Sequence, residues 1–173
     1  TSSCLSVAGY LVHADKKVLI IDLDPQANAT LGLGIDTSAV KQSMFHVLNG
    51  WASLKSIIVA TPTEGIHLAP SSLDLANCNK NTYNKKSDAL QLDKVLKEVK
   101  HSYDYIFIDT APNYAHFIIN AALAADEVFL VADPGIFALE GIATLQNAFH
   151  KYKAVQKKIN VSGIILNKCR MSF

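Results

Sequence analysis

The sequence is poor in the features that mark exported, membrane-spanning or metal-cluster proteins. It has three cysteines, Cys4, Cys78 and Cys169, scattered along 173 residues. No CxxC pair occurs, which argues against a zinc or iron–sulfur site built within the chain. An odd, dispersed set reads as reduced thiols and a cytoplasmic setting. No apolar run reaches the roughly 18 residues that a membrane helix needs, so no transmembrane segment is expected, and no signal-peptide pattern is visible. Neither charge sign dominates: 16 Lys+Arg against 15 Asp+Glu leave a net charge of +1. That excludes a global electrostatic signal for nucleic acid and leaves only a local basic face open. Arginine occurs once, as Arg170, and tryptophan once, as Trp51. The six histidines form no HExxH and no other ligand spacing, and they read as structural or surface residues. Trp51 and Tyr10 read as core or dimer-facing residues.

What is present is a globular pattern, 50% apolar and 18% charged, long enough for one sizeable core. Short β-branched runs alternate with helical stripes. Val18 to Ile21, Ile106 to Ile108, Val128 to Val131 and Val161 to Leu166 are apolar on both faces, as strands of a covered parallel sheet are. Ile66 to Ala69 is a shorter strand, and Ile57 to Ala60 is ambiguous. Helices are expected over Ser2 to His13, Ala39 to Leu48, and Tyr114 to Ala125, the last apolar nearly all round and so buried. Leu92, Val95, Leu96 and Val99 form another stripe, and Ile142, Leu145, Phe149 and Tyr152 a further one. Strand, helix, strand in repetition predicts an α/β fold with a mostly parallel sheet and helices on both faces.

Two of the strands end in acid. VLIIDLDPQANATLGLG, residues 18–34, carries Asp22 and Asp24. YDYIFIDTAPN, residues 103–113, carries Asp109. Ligands of open α/β sheets bind beyond the carboxyl ends of the strands. Asp24, two residues after Asp22, points to the same side while the backbone stays extended. Three carboxylates at one edge repel one another unless something neutralises them. Mg²⁺ with bound phosphates is a natural partner, since it takes one or two carboxylates plus waters. The plainer alternative is that each Asp caps a turn.

The motifs together resemble the ParA/Soj family of deviant Walker A ATPases, which includes MinD. IFID resembles a Walker B strand, DLDPQANAT the family's switch I, YDYIFIDTAPN its switch II, and EVFLVADPGIFALEGI its next strand and helix start. The resemblance runs over nearly the whole chain. It implies a P-loop NTPase-like fold, ATP and Mg²⁺ as cofactors, and residues 1–173 as one partial ATPase domain. Thr1 falls where the family has the Ser/Thr after its P-loop lysine. The K-G-G-x-G-K stretch would precede it and does not occur in these residues. The chain as given is therefore expected to bind ATP poorly. A parallel sheet without the P-loop strand is also expected to expose an apolar edge and to aggregate or be weakly stable.

The resemblance also assigns roles. Thr1 would offer its hydroxyl to Mg²⁺; an ordinary helix N-cap is the alternative. Asp24 would orient the attacking water, Asp22 would support the metal site from behind, and Asp109 would hold a Mg²⁺-bound water. Pro112 fits the proline that follows Walker B. Pro25, Gln26, Asn28 and Thr30 lie in switch I, which must have two conformations to sense a γ-phosphate and so is expected not to be locked into the core. Asn167 would contact adenine, its amide matching adenine's donor and acceptor; a strand-exit turn residue is the alternative. Lys151, Lys153, Lys157, Lys158 and Arg170 are either a solvated helix end and its surroundings or part of a non-specific DNA surface.

The activity so implied is chromosome or plasmid partitioning by a nucleoid-associated ATPase. ATP would drive homodimerisation and DNA binding, and a ParB-like partner would stimulate hydrolysis. A MinD-like membrane-cycling ATPase, or a non-catalytic binding module, are the alternatives.

Overall fold

The computed structural model describes residues 1–78, 88–134, 141–143, 145, 147, 149 and 159–169. Its centre is β1, Val18–Leu23, whose six residues are all buried. β-Branched residues with apolar side chains on both faces suit a strand covered on both sides. β1 pairs in parallel with β3 (Ile66–Ala69) and with β4 (Tyr105–Thr110). The two-residue β2 (Val59–Ala60) runs antiparallel to β3, giving the order β2-β3-β1-β4. β5 (Val128–Ala132) and β6 (Val161–Leu166) form a separate parallel pair.

The period of two along β1 divides its side chains between two cores. Leu19, Ile21 and Leu23 pack with Met44, Leu48, Leu92 and Phe117. Val18 and Ile20 pack with Ala8, Ala29 and Leu68. The helices are α1 (Ser2–His13), α2 (Asn28–Gly32), α3 (Met44–Leu48), α4 (Leu54–Ile57), α5 (Gln91–Leu96) and α6 (Ala115–Ala124). Helices therefore cover both faces of β1, as expected. α6 is apolar all round because it serves two clusters: Phe117 and Ala121 join the first core, while Ile119, Ala122 and Leu123 join Leu130 of β5 and Phe149. α1 and α2 meet closely at Gly32, where an added Cβ would lie 2.8 Å from Leu5 Cδ1.

Several boundaries differ from the expected ones. The helix expected over Ala39 to Leu48 is two pieces, a 3₁₀ turn at Thr37–Ala39 and α3. Ser43 is the reason: its backbone is extended and it opens α3 with a capping box, accepting from the His46 amide while His46 accepts from the Ser43 amide. The ambiguous Ile57 to Ala60 is half helix end, half strand. The stripe from Leu92 to Val99 outlasts its helix, which stops at Leu96, yet Leu92, Leu96 and Val99 are all buried. Trp51 and Tyr10 are not core residues: they are 65% and 75% exposed. β4 ends its sheet among the described residues, with Tyr105 exposed and Ile106 to Ile108 only half-buried. Phe129, Val131, Ile164 and Leu166 of the β5–β6 pair are exposed too. Exposed apolar strands of this kind are surfaces that favour association with other chains. No described helix is long and apolar enough to cross a membrane.

Candidate functional site

β1 and β4 run side by side in parallel, and their register pairs Asp22 with Asp109. The two acids thus stand together at one carboxyl edge. Asp22 is fully buried, and both of its oxygens are occupied. Oδ1 accepts the Asp24 amide at 3.0 Å. Oδ2 accepts both the amide and the hydroxyl of Thr30, each at 2.8 Å. Burial pushes the Asp22 carboxyl up to about 6. Hydrogen bonds from Thr30 and Asp24 oppose that rise, and the charge of Asp109 adds to it.

That shift has a consequence for stability. Between its ordinary value of 3.8 and about 6, the folded protein holds a proton at Asp22 that the unfolded chain has released. Stability contributed by this group is complete below the unfolded value and is lost as pH rises through about 6. Ionisation of Asp22 therefore costs the metal-free fold about 2–3 kcal/mol. Urea denaturation of the metal-free chain from pH 4 to 7 should show stability falling relative to Asp22→Asn. Parallel profiles would mean that Asp22 titrates as a normal carboxylate.

Asp24 follows as the chain leaves β1, and it is 8% exposed. Its Oδ1 accepts the Gln26 amide at 2.9 Å and its Oδ2 accepts Asn28 Nδ2 at 3.2 Å. Ala27 makes the turn with a left-handed φ of 54° and begins α2. The expected switch segment is thus not free of the core. Pro25, Ala27, Ala29 and Thr30 are buried, and only Gln26 and Asn28 of the expected residues are exposed. The small residues Ala27, Ala29 and Gly32 let α2 pack closely.

The third acid is met from the other end of the chain. The Thr1 hydroxyl donates to Asp109 Oδ2 at 2.6 Å. Cys4, one turn into α1, is close enough to feel both acids. Burial, then the charge of Asp109, push its thiol up to about 12, so it is an inert thiol. α1 begins beside Asp109 with no side-chain cap and no acid in its first turn, an arrangement that favours anions.

These residues fit Mg²⁺ and phosphate in kind. A hydroxyl and a carboxylate are hard oxygen donors, and Mg²⁺ takes few protein ligands. Among the described residues, no group of three or more His, Cys, Asp or Glu is placed to hold a metal ion. The hard oxygen donors brought together at this edge are the Thr1 hydroxyl and the Asp109 carboxylate, with Asp22 behind them tied to Thr30.

The remaining expected residues fall elsewhere. Pro112 is exposed between β4 and α6. Asn167 follows β6, with its amide donating to Ala132 O at 2.8 Å at the end of β5. Lys151, Lys153, Lys157, Lys158 and Arg170 lie outside the described residues. One residue was missed. Ser71, just past β3, is fully buried, and its amide donates to Thr30 Oγ1 at 3.1 Å. The signal available was its position: β3 is a third parallel strand, and its exit falls on the same edge as the acids.

The fold and this acidic strand edge define an α/β protein of the P-loop NTPase type. The AAA_31 family model, an AAA domain, matches residues 1–162. The chain is 34% identical over 170 residues to the sporulation initiation inhibitor protein Soj of Bacillus subtilis, covering 96% of this chain and 66% of that protein. It is 35% identical over 162 residues to the chromosome-partitioning ATPase Soj of Treponema pallidum, covering 94% and 62%. Among solved structures it resembles the septum site-determining protein MinD of Pyrococcus horikoshii, complexed with Mg-ADP. That match has a TM-score of 0.74 and 26% identity, and covers 94% of this chain and 62% of MinD. The chain belongs to the AAA domain family and, within it, to the ParA/Soj family of the ParA/MinD P-loop ATPases. It spans just under two thirds of the length of these relatives.

Proposed function

We propose that this chain is the acidic half of the catalytic centre of a Mg-dependent ATPase that partitions chromosomes or plasmids. The observation that carries the reading is the Thr1–Asp109 contact of 2.6 Å, made across 108 residues at the edge where Asp22 and Asp24 also stand. Two Soj relatives support it, one of them named a chromosome-partitioning ATPase, as does the Mg-ADP carried by the MinD structure.

In this reading the Thr1 hydroxyl and the Asp109 carboxylate would hold Mg²⁺, Asp109 through a bound water. The metal would neutralise charge on the phosphates. Asp24 accepts a hydrogen bond from the attacking water and orients it. Asp22 holds the backbone of Asp24, and Asn167 contacts the adenine. ATP binding closes a homodimer that binds DNA through phosphates, with Lys151, Lys153, Lys157, Lys158 and Arg170 contributing. A ParB-like protein then stimulates hydrolysis and release. The protein is cytoplasmic and associates with the nucleoid.

The test is nucleotide binding and turnover by the native protein. We expect tight ATP binding only with Mg²⁺, and a loss of about tenfold or more in affinity for Mg-ATP in Asp109→Asn, since a charge-assisted contact is worth at least about 1.5 kcal/mol. DNA binding should need ATP and weaken steeply with salt. No Mg-dependent binding of ATP by the native protein would end this reading.

A further inference from the structure

The exit of β3 holds the Asp24 segment in place, although it contributes no acid. Three consecutive residues there fasten two pieces of chain, the start of α3 and α2. Pro70 O accepts the Met44 amide at 2.8 Å, the Ser71 amide donates to Thr30 Oγ1 at 3.1 Å, and Ser72 Oγ pairs with Ser43 Oγ at 3.0 Å. The middle contact continues inward, because the Thr30 hydroxyl donates its own hydrogen bond to Asp22 Oδ2 at 2.8 Å. Asp22 Oδ1 in turn accepts the Asp24 amide at 3.0 Å.

We propose that Thr30 is a positioning residue: its hydroxyl, held between the Ser71 amide and Asp22, latches the Asp24 segment to β3 and so sets where the Asp24 carboxylate stands. A threonine hydroxyl accepts and donates at once, and this site uses both capacities. Ser71, Thr30 and Asp22 are each fully buried, so water does not substitute for a lost bond. Breaking the latch frees α2 from β3 and lets Asp24 leave the edge. The Ser71 hydroxyl is buried with no partner among the described residues, a spare donor beside the latch for a second arrangement of this segment. The effect on turnover rests on the reading of Asp24 given above; the latch itself does not.

Two arms test it, and they fail separately. First, amide hydrogen exchange is measured without nucleotide on the native protein and on Thr30→Val and Thr30→Ser. In the unaltered protein the Ser71 amide should exchange as slowly as those of Leu19 and Ile21. Thr30→Val should speed exchange at Ser71 and Asp24 by about tenfold or more, leave Leu19 and Ile21 unchanged, and be rescued by Thr30→Ser. Fast exchange at Ser71 in the unaltered protein overturns the latch even if Thr30→Val does not fold. So do an unchanged Ser71 amide in Thr30→Val, a uniform acceleration of all amides, and a failure of serine to rescue. Second, ATP turnover should show kcat about tenfold lower in Thr30→Val with KM within about twofold, again restored by serine. A kcat equal to that of the unaltered protein overturns the positioning role. A native protein without ATPase activity would sink the proposed function, and the exchange arm would still decide the latch.

Discussion

Asp24→Ala in the native protein is expected to lower ATP turnover by about 10²–10⁴-fold, the range for removing a group that positions or activates a nucleophile. The structure supports a loss of this kind. Asp24 is held with both oxygens at fixed donors, Gln26 N at 2.9 Å and Asn28 Nδ2 at 3.2 Å, and its backbone is held by Asp22. A carboxylate so restrained keeps lone-pair directions free for one water, and phosphoryl transfer depends mainly on positioning and charge. Affinity for ATP should change little, because the proposed metal contacts are those of Thr1 and Asp109. Single-turnover kinetics beside a nucleotide titration would separate the two effects. Equal turnover in both proteins would remove Asp24 from the reaction.

The largest effect on stability is expected at Phe117. Its side chain is fully buried, with ring centroids 3.9 Å from His116 and 5.8 Å from Tyr114. It shares a cluster with Leu19, Ile21 and Leu23 of β1, so it fastens α6 to the strand that carries Asp22. Phe117→Ala should cost about 3–5 kcal/mol, the transfer term plus the cavity left behind. Urea denaturation at pH 7 would measure it as a fall in midpoint at constant slope. A change below about 1 kcal/mol would mean that α6 closes over the gap or packs loosely in solution.

Much of the fold was legible because it rests on local pattern. β1 could be read from VLII, since a short, β-branched run apolar at consecutive positions suits a strand covered on both faces. The alternation of strands and helices implied parallel pairing, and that pairing is observed for β1, β3 and β4. The acids could be placed at one edge by the same logic. The split of Ala39 to Leu48 was less legible, because it depends on Ser43 preferring an extended backbone and a cap over helix interior. Of the two readings of Trp51 and Tyr10, core or dimer-facing, their exposure removes the first; nothing local shows which way a loop or a helix face will point.

The sequence by itself determined the strand positions, the sign of the site and the family. Hydrophobic period and acid placement are properties of neighbouring residues, and the DPQANAT and IFIDTAPN motifs are contiguous. Only the tertiary structure decided that Thr1 meets Asp109, that Thr30 is a buried partner of Asp22 rather than part of an open loop, and that Ser71 completes the chain of bonds. Those contacts join residues 108, 8 and 41 positions apart. Their distances are set by how α1, α2 and β3 pack against β1, and a hydrogen bond acts over about 3 Å, far below what spacing along the chain can predict.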